Sequence, residues 1–179
     1  DGTNTTLRPG VDISQQDIPI GKELPGAKLE IRDADGNLVE GWNSGKVPHP
    51  VRGLELEKEY TLTEKRAPDG YAEAESIVFK LVQEGTEQVN EVYVKPNDDW
   101  TKLDDATVIM QDAPVLDIDK TDIAGNLLPG ATLTIRDAND EVVDTWTTDY
   151  KTHRVPVSND FLKLSGEAKE CIYTLTEDA

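Results

Sequence analysis

Cysteine is almost missing from this sequence. A single Cys171 among 179 residues excludes a disulfide within the chain and any cysteine-rich metal cluster. Its expected place is that of a small buried core residue. Histidine is nearly as scarce, with only His49 and His153. No Gly-x-Ser-x-Gly, His-Glu-x-x-His or phosphate-loop pattern occurs. The chain is therefore not read as an enzyme, and no cofactor or metal is expected. Basic residues are outnumbered, 18 Lys and Arg against 36 Asp and Glu, for a formal net charge of -18. A field of that sign repels phosphate, which argues against nucleic acid and anionic lipid as partners. No stretch is long and apolar enough to insert into a membrane. The polar opening Asp1-Gly2-Thr3-Asn4 is not a signal peptide, so the expectation is an excerpt of a longer secreted protein. Hydrophobic residues make up only 36%, which implies small cores with many side chains facing water, as in thin β-sandwiches.

What is present is a repeat. Val11-Asp12-Ile13 returns as Leu116-Asp117-Ile118, and Leu24-Pro25-Gly26-Ala27 returns as Leu128-Pro129-Gly130-Ala131. Ile31-Arg32-Asp33-Ala34 returns as Ile135-Arg136-Asp137-Ala138, Trp42 as Trp146, and Tyr60-Thr61-Leu62-Thr63-Glu64 as Tyr173-Thr174-Leu175-Thr176-Glu177. The order is kept, so the chain reads as two copies of one domain. The expected division is a leader or linker at 1–10, a first sandwich at 11–114 and a second at 115–179. The junction at Ala113-Pro114 is short, which favours a stiff tandem. Runs rich in Val, Ile, Thr and Tyr, separated by Gly, Pro, Asn and Asp, predict short strands of an antiparallel Greek-key β-sandwich, an all-β fold. Asp35-Gly36-Asn37 is a hairpin turn by its chemistry; its faint likeness to a calcium loop lacks the further ligands such a loop needs. The first copy continues with strands around Ile77-Val78-Phe79, Val92-Tyr93-Val94 and Thr107-Val108-Ile109-Met110. The second stops soon after Glu177, so its last strands are expected to be missing.

Residues two apart in a strand share a face. By that parity Leu116, Ile118 and Lys120 lie together, as do Tyr60, Leu62 and Glu64, their counterparts Tyr173, Leu175 and Glu177, and Val108, Met110 and Asp112. Each apolar stripe ends in a charge pointing inward. A buried charge must neutralise or find a partner. A desolvated lysine is a usable nucleophile, and a buried Glu can donate and carry a proton, so an amide could form with loss of water. A buried ion pair, or a slip of parity that leaves these groups at a solvated rim, remains the alternative.

The stretches Gly21-Lys22-Glu23-Leu24-Pro25-Gly26-Ala27, Tyr60-Thr61-Leu62-Thr63-Glu64-Lys65-Arg66-Ala67-Pro68-Asp69-Gly70-Tyr71 and Val108-Ile109-Met110-Gln111-Asp112-Ala113-Pro114 resemble the CnaB family. These are the B-type domains of Gram-positive collagen adhesins, also called SpaA-like or prealbumin-like domains, which occur in surface adhesins and pilins. The resemblance implies an intramolecular isopeptide bond between a first-strand Lys and a last-strand Asp or Asn, assisted by a Glu. It places the assisting Glu at Glu64 and Glu177, the lysine at Lys120 and the acceptor at Asp112. Copy one departs from the pattern, because Gln15 stands where copy two has Lys120. The Gln15 amide could instead donate to Asp112 and accept from a protonated Glu64.

The resemblance implies an extracellular, cell wall-attached stalk or spacer, with neighbouring domains of the same surface protein as partners. Such attachment would run through regions outside this chain. The alternative is a module that grips host extracellular matrix or glycan. For that reading Trp100 is the candidate ligand-binding residue, in the unrepeated insertion Pro96-Asn97-Asp98-Asp99-Trp100-Thr101-Lys102. Trp42 and Trp146 repeat and are expected at a core or edge. Lys95, within Val94-Lys95-Pro96-Asn97, faintly resembles a pilin-motif lysine.

Overall fold

The computed structural model describes residues 9–18, 21–83, 90–156 and 172–178; Cys171 and most of the leader lie outside them. The chain divides into two units, Asp1–Asp112 and Ala113–Ala179. Among the described residues there is no α-helix, only a 3₁₀ turn at Pro96–Asp98 inside the insertion.

The first unit is a two-layer sandwich. One layer has β4 (His49–Arg52), β1 (Gly10–Asp17) and β9 (Thr107–Asp112) in that order. The other runs β3 (Leu38–Asn43), β2 (Lys28–Asp33), β5 (Tyr60–Arg66), β6 (Ile77–Gln83), β7 (Asn90–Val94) and β8 (Thr101–Lys102). Strand parity sets what goes inside. Val11, Ile13, Val108 and Met110 from the first layer meet Leu29, Ile31, Tyr60, Leu62, Phe79, Leu81 and Val92 from the second, and all are buried. Turn chemistry sets the register. Asp33 Oδ1 accepts from the backbone N–H of Asp35 and Asn37 at 3.0 and 2.8 Å, and Gly36 takes φ +83, which closes the β2–β3 hairpin.

One pairing departs from the antiparallel expectation. β1 and β9 run parallel, Ile13 opposite Val108 and Asp17 opposite Asp112. A parallel pair needs a long crossover, and here nearly the whole domain supplies it. The first and last strands therefore lie side by side, and the inward ends of their stripes come together.

The second unit repeats the plan in part. β11 (Thr132–Arg136) sits between β12 (Val142–Thr147) and β14 (Thr174–Asp178), while β10 (Val115–Ile118) pairs with β13 (His153–Pro156). The registers match copy one: Ile31 opposite Leu62 becomes Ile135 opposite Leu175, and the irregularity after Ile31 in the β2–β3 pair recurs after Ile135. Its buried apolar residues, among those described, are Leu133, Ile135 and Val155.

Candidate functional site

Three polar side chains end the inward stripes of the first unit. Gln15 comes from β1, Glu64 from β5 and Asp112 from β9, with relative exposures of 1%, 4% and 0%. The parity of each strand puts them there: Gln15 follows Val11 and Ile13, Glu64 follows Tyr60 and Leu62, and Asp112 follows Val108 and Met110. Glu64 Oε2 accepts from the backbone N–H of Ala74 at 2.8 Å. Its Oε1, both Asp112 oxygens and both polar atoms of the Gln15 amide are buried without a hydrogen bond of ordinary geometry. The groups nevertheless act on each other. Burial pushes Glu64 up to about 7 against the Ala74 N–H, and the neighbouring Asp112 carboxylate pushes the same way. Asp112 is also raised by burial, with Gln15 and Glu64 partly offsetting that rise. Two carboxyls in one dry site cannot both ionise at low cost, so the pair keeps a proton to a higher pH than a free carboxyl does.

Sequence reasoning missed two members of this site. Tyr71 stands close enough that burial, then Asp17 and Asp112, raise its phenol. Ala74 supplies the donor to Glu64. Both follow the turn at Ala67-Pro68-Asp69-Gly70, where Gly70 takes φ +86, so the turn after Glu64 was the available signal.

The second unit arranges its matching residues differently. Lys120 lies two residues beyond the end of β10, and its Nζ donates to Glu177 Oε2 at 2.5 Å. Their side chains are 27% and 52% exposed, so the inward burial expected from parity is not reached. Copy one explains the difference: there β9 lies against β1 and β6 against β5, whereas among the described residues β10 has only β13 and β14 has only β11.

The aromatic candidates are already occupied within the fold. Trp100 carries Lys80 Nζ 4.7 Å and Lys95 Nζ 5.4 Å from its ring centroid, so it pins the insertion onto β6 and the end of β7. Lys95 also pairs with Glu59 at 3.8 Å. Trp42 and Trp146 stack on His49 and His153 at the strand edges. Asp33 and Asp35 are used by the hairpin turn, and no group of three or more His, Cys, Asp or Glu able to hold a metal occurs among the described residues.

Residues 10–95 match the family model of the SpaA prealbumin-like fold domain. The first unit is thus similar to SpaA prealbumin-like domains over those residues. The matched span holds Gln15 and Glu64 of the site, and Asp112 lies beyond it on β9. No curated protein matches the sequence. Among solved structures the chain is similar to the Bacillus anthracis TIE protein, at 23% identity and TM-score 0.43 over 97% of this chain and 29% of that one. It is similar to the pilus-presented adhesin Spy0125 (Cpa), at 20% identity and TM-score 0.41 over 82% of this chain and 41% of that one. It is also similar to the shaft pilin SpaA of Lactobacillus rhamnosus GG, at 10% identity and TM-score 0.39 over 76% of this chain and 63% of that one. The chain thus spans less than two thirds of each of these proteins.

Proposed function

We propose that this chain is a structural stalk segment of a Gram-positive surface adhesin or pilus-like protein, exposed outside the cell and without turnover chemistry. The observation that carries the reading is the buried Gln15–Glu64–Asp112 site, which has the carboxyl acceptor and the proton-carrying Glu of a strand-to-strand cross-link but lacks the amine. In this reading the first domain keeps the cross-link geometry between its first and last strands while Gln15 leaves it open. The second domain carries the amine, Lys120, beside its Glu177. The alternative of a ligand-gripping module loses its leading residue, because Trp100 is engaged by Lys80 and Lys95.

Intact mass under denaturing conditions tests the assignment. The natural chain should have the full mass of its sequence. Gln15→Lys should lose one water, as the introduced amine attacks the Asp112 carboxyl carbon, Glu64 takes the amine proton and returns it to the departing hydroxyl, and an amide remains. The closed loop of nearly a hundred residues would then stabilise the domain by about 4–5 kcal/mol, by analogy with a disulfide. Adding Glu64→Gln should restore the full mass with the fold intact. A folded Gln15→Lys protein that keeps its water would overturn the cross-link reading.

A further inference from the structure

The two histidines occupy matching places in the repeat, and the structure gives them matching partners. The His49 ring stacks on Trp42 at 4.5 Å between centroids and 14° between planes. Its Nε2 lies 2.7 Å from Glu40 Oε1. His153 stacks on Trp146 at 3.9 Å and 9°, with its Nε2 2.8 Å from Asp144 Oδ2. Trp and carboxylate come from β3 or β12, and the histidine from β4 or β13. In each unit these two strands follow one another in sequence, are edge strands, and belong to different layers. Neither β3 with β4 nor β12 with β13 forms a ladder, so among the described residues no regular backbone bonding joins the two layers on that side.

We propose that each Trp–His–carboxylate group is a clasp that shuts this side of its domain. The stack covers the gap between the layers, and the carboxylate fixes the ring through one nitrogen so that its face stays on the indole. The same parts persist although the acid is Glu in one unit and Asp in the other. An open side would expose two unpaired strand edges at once, the usual template for pairing with another chain. The clasp therefore protects each domain from sticking to other chains through these edges.

Peptide-resolved hydrogen exchange on the whole chain tests this at a fixed pH. His49→Phe keeps an aromatic face but loses the Glu40 bond, His49→Gln keeps a polar donor but loses the stack, and Trp42→Leu keeps apolar volume only. Each single change should speed exchange across residues 38–52 by about tenfold, the scale of losing one aromatic pair or one hydrogen bond at a site of local opening. Exchange across residues 77–83 should stay within about twofold, since β6 is held by β5 and β7. Combining His49→Gln with Trp42→Leu should add little to either alone, because the pair acts as one unit. His153→Gln and Trp146→Leu should do the same for residues 142–156. If residues 38–52 exchange at the natural rate in all the variants, or if both stretches accelerate together, the clasp does not exist as a local device.

Discussion

The string Tyr-Thr-Leu-Thr-Glu occurs at 60–64 and again at 173–177, and its two copies meet different surroundings. Both pair antiparallel with the strand that follows Leu-Pro-Gly-Ala, in the same register. Yet Leu62 is 0% exposed and Leu175 49%. Local sequence thus decides the strand, its partner and the face each side chain takes. Burial is decided by what lies across from that face: in the first unit β9 beside β1, and β6 and β7 beyond β5. Where those strands are not part of the described second unit, the same five residues make half a site and little core.

The largest break in this comparison should come from truncating the shared leucine. Leu62→Ala removes a fully buried side chain from the core it shares with Ile31 and Phe79 and should cost about 2–5 kcal/mol, the range for buried leucines that leave a cavity. Leu175→Ala starts half in water and should cost well under about 1 kcal/mol. Chemical denaturation followed by exchange in peptides of each unit separates the two. Equal costs would mean that Leu175 is covered in solution, and that the two units differ less than their described residues indicate.

How far such differences are legible in sequence follows from the same distinction. Parity within a strand placed Glu64 and Asp112 on inward faces, because alternation is local, and the repeat set Gln15 at the position of Lys120. It could not give the parallel β1–β9 pairing, whose partners lie some hundred residues apart. Nor could it tell that Lys120 falls beyond β10, since where a strand ends depends on the neighbour that holds it. The repeated histidines were visible, but not their stacking on Trp42 and Trp146, because the contact joins two layers. Trp100 was conspicuous as an unrepeated aromatic, but nothing local to it signals that Lys80 and Lys95 lie over its ring.

A middle-sized effect separates the units by pH. Glu64 is raised by burial, then by Asp112, to about 7, and Asp112 is raised by burial. Both carboxyls thus bind protons more tightly in the folded state than in the unfolded chain, where Asp and Glu ionise near 4. Below that value both states are protonated and this contribution to stability is fully present. As pH rises the unfolded state loses its protons first, so stability falls until Glu64 itself ionises near 7. The first domain should lose about 1–3 kcal/mol between pH 5 and pH 8. Glu64→Gln combined with Asp112→Asn should flatten that slope. A melting profile of the natural first domain that rises with pH over this window would show that the two carboxyls are not enclosed together.

The smallest effect sharpens the comparison from the other side. Lys120 and Glu177 make a short contact, but with both side chains in reach of water the pair should contribute no more than about 1 kcal/mol. Lys120→Met should therefore change the stability of the second unit by less than about 1 kcal/mol, and its effect should shrink as salt is raised. Asp112 sits in a site where a single charge has nowhere to go, and Lys120 in one where it does. The contrast is a difference of enclosure, since the residue types at the two Glu positions are identical. If Lys120→Met instead destabilises the second unit by several kcal/mol regardless of salt, the lysine is enclosed in solution, and the second unit has a completed site around it.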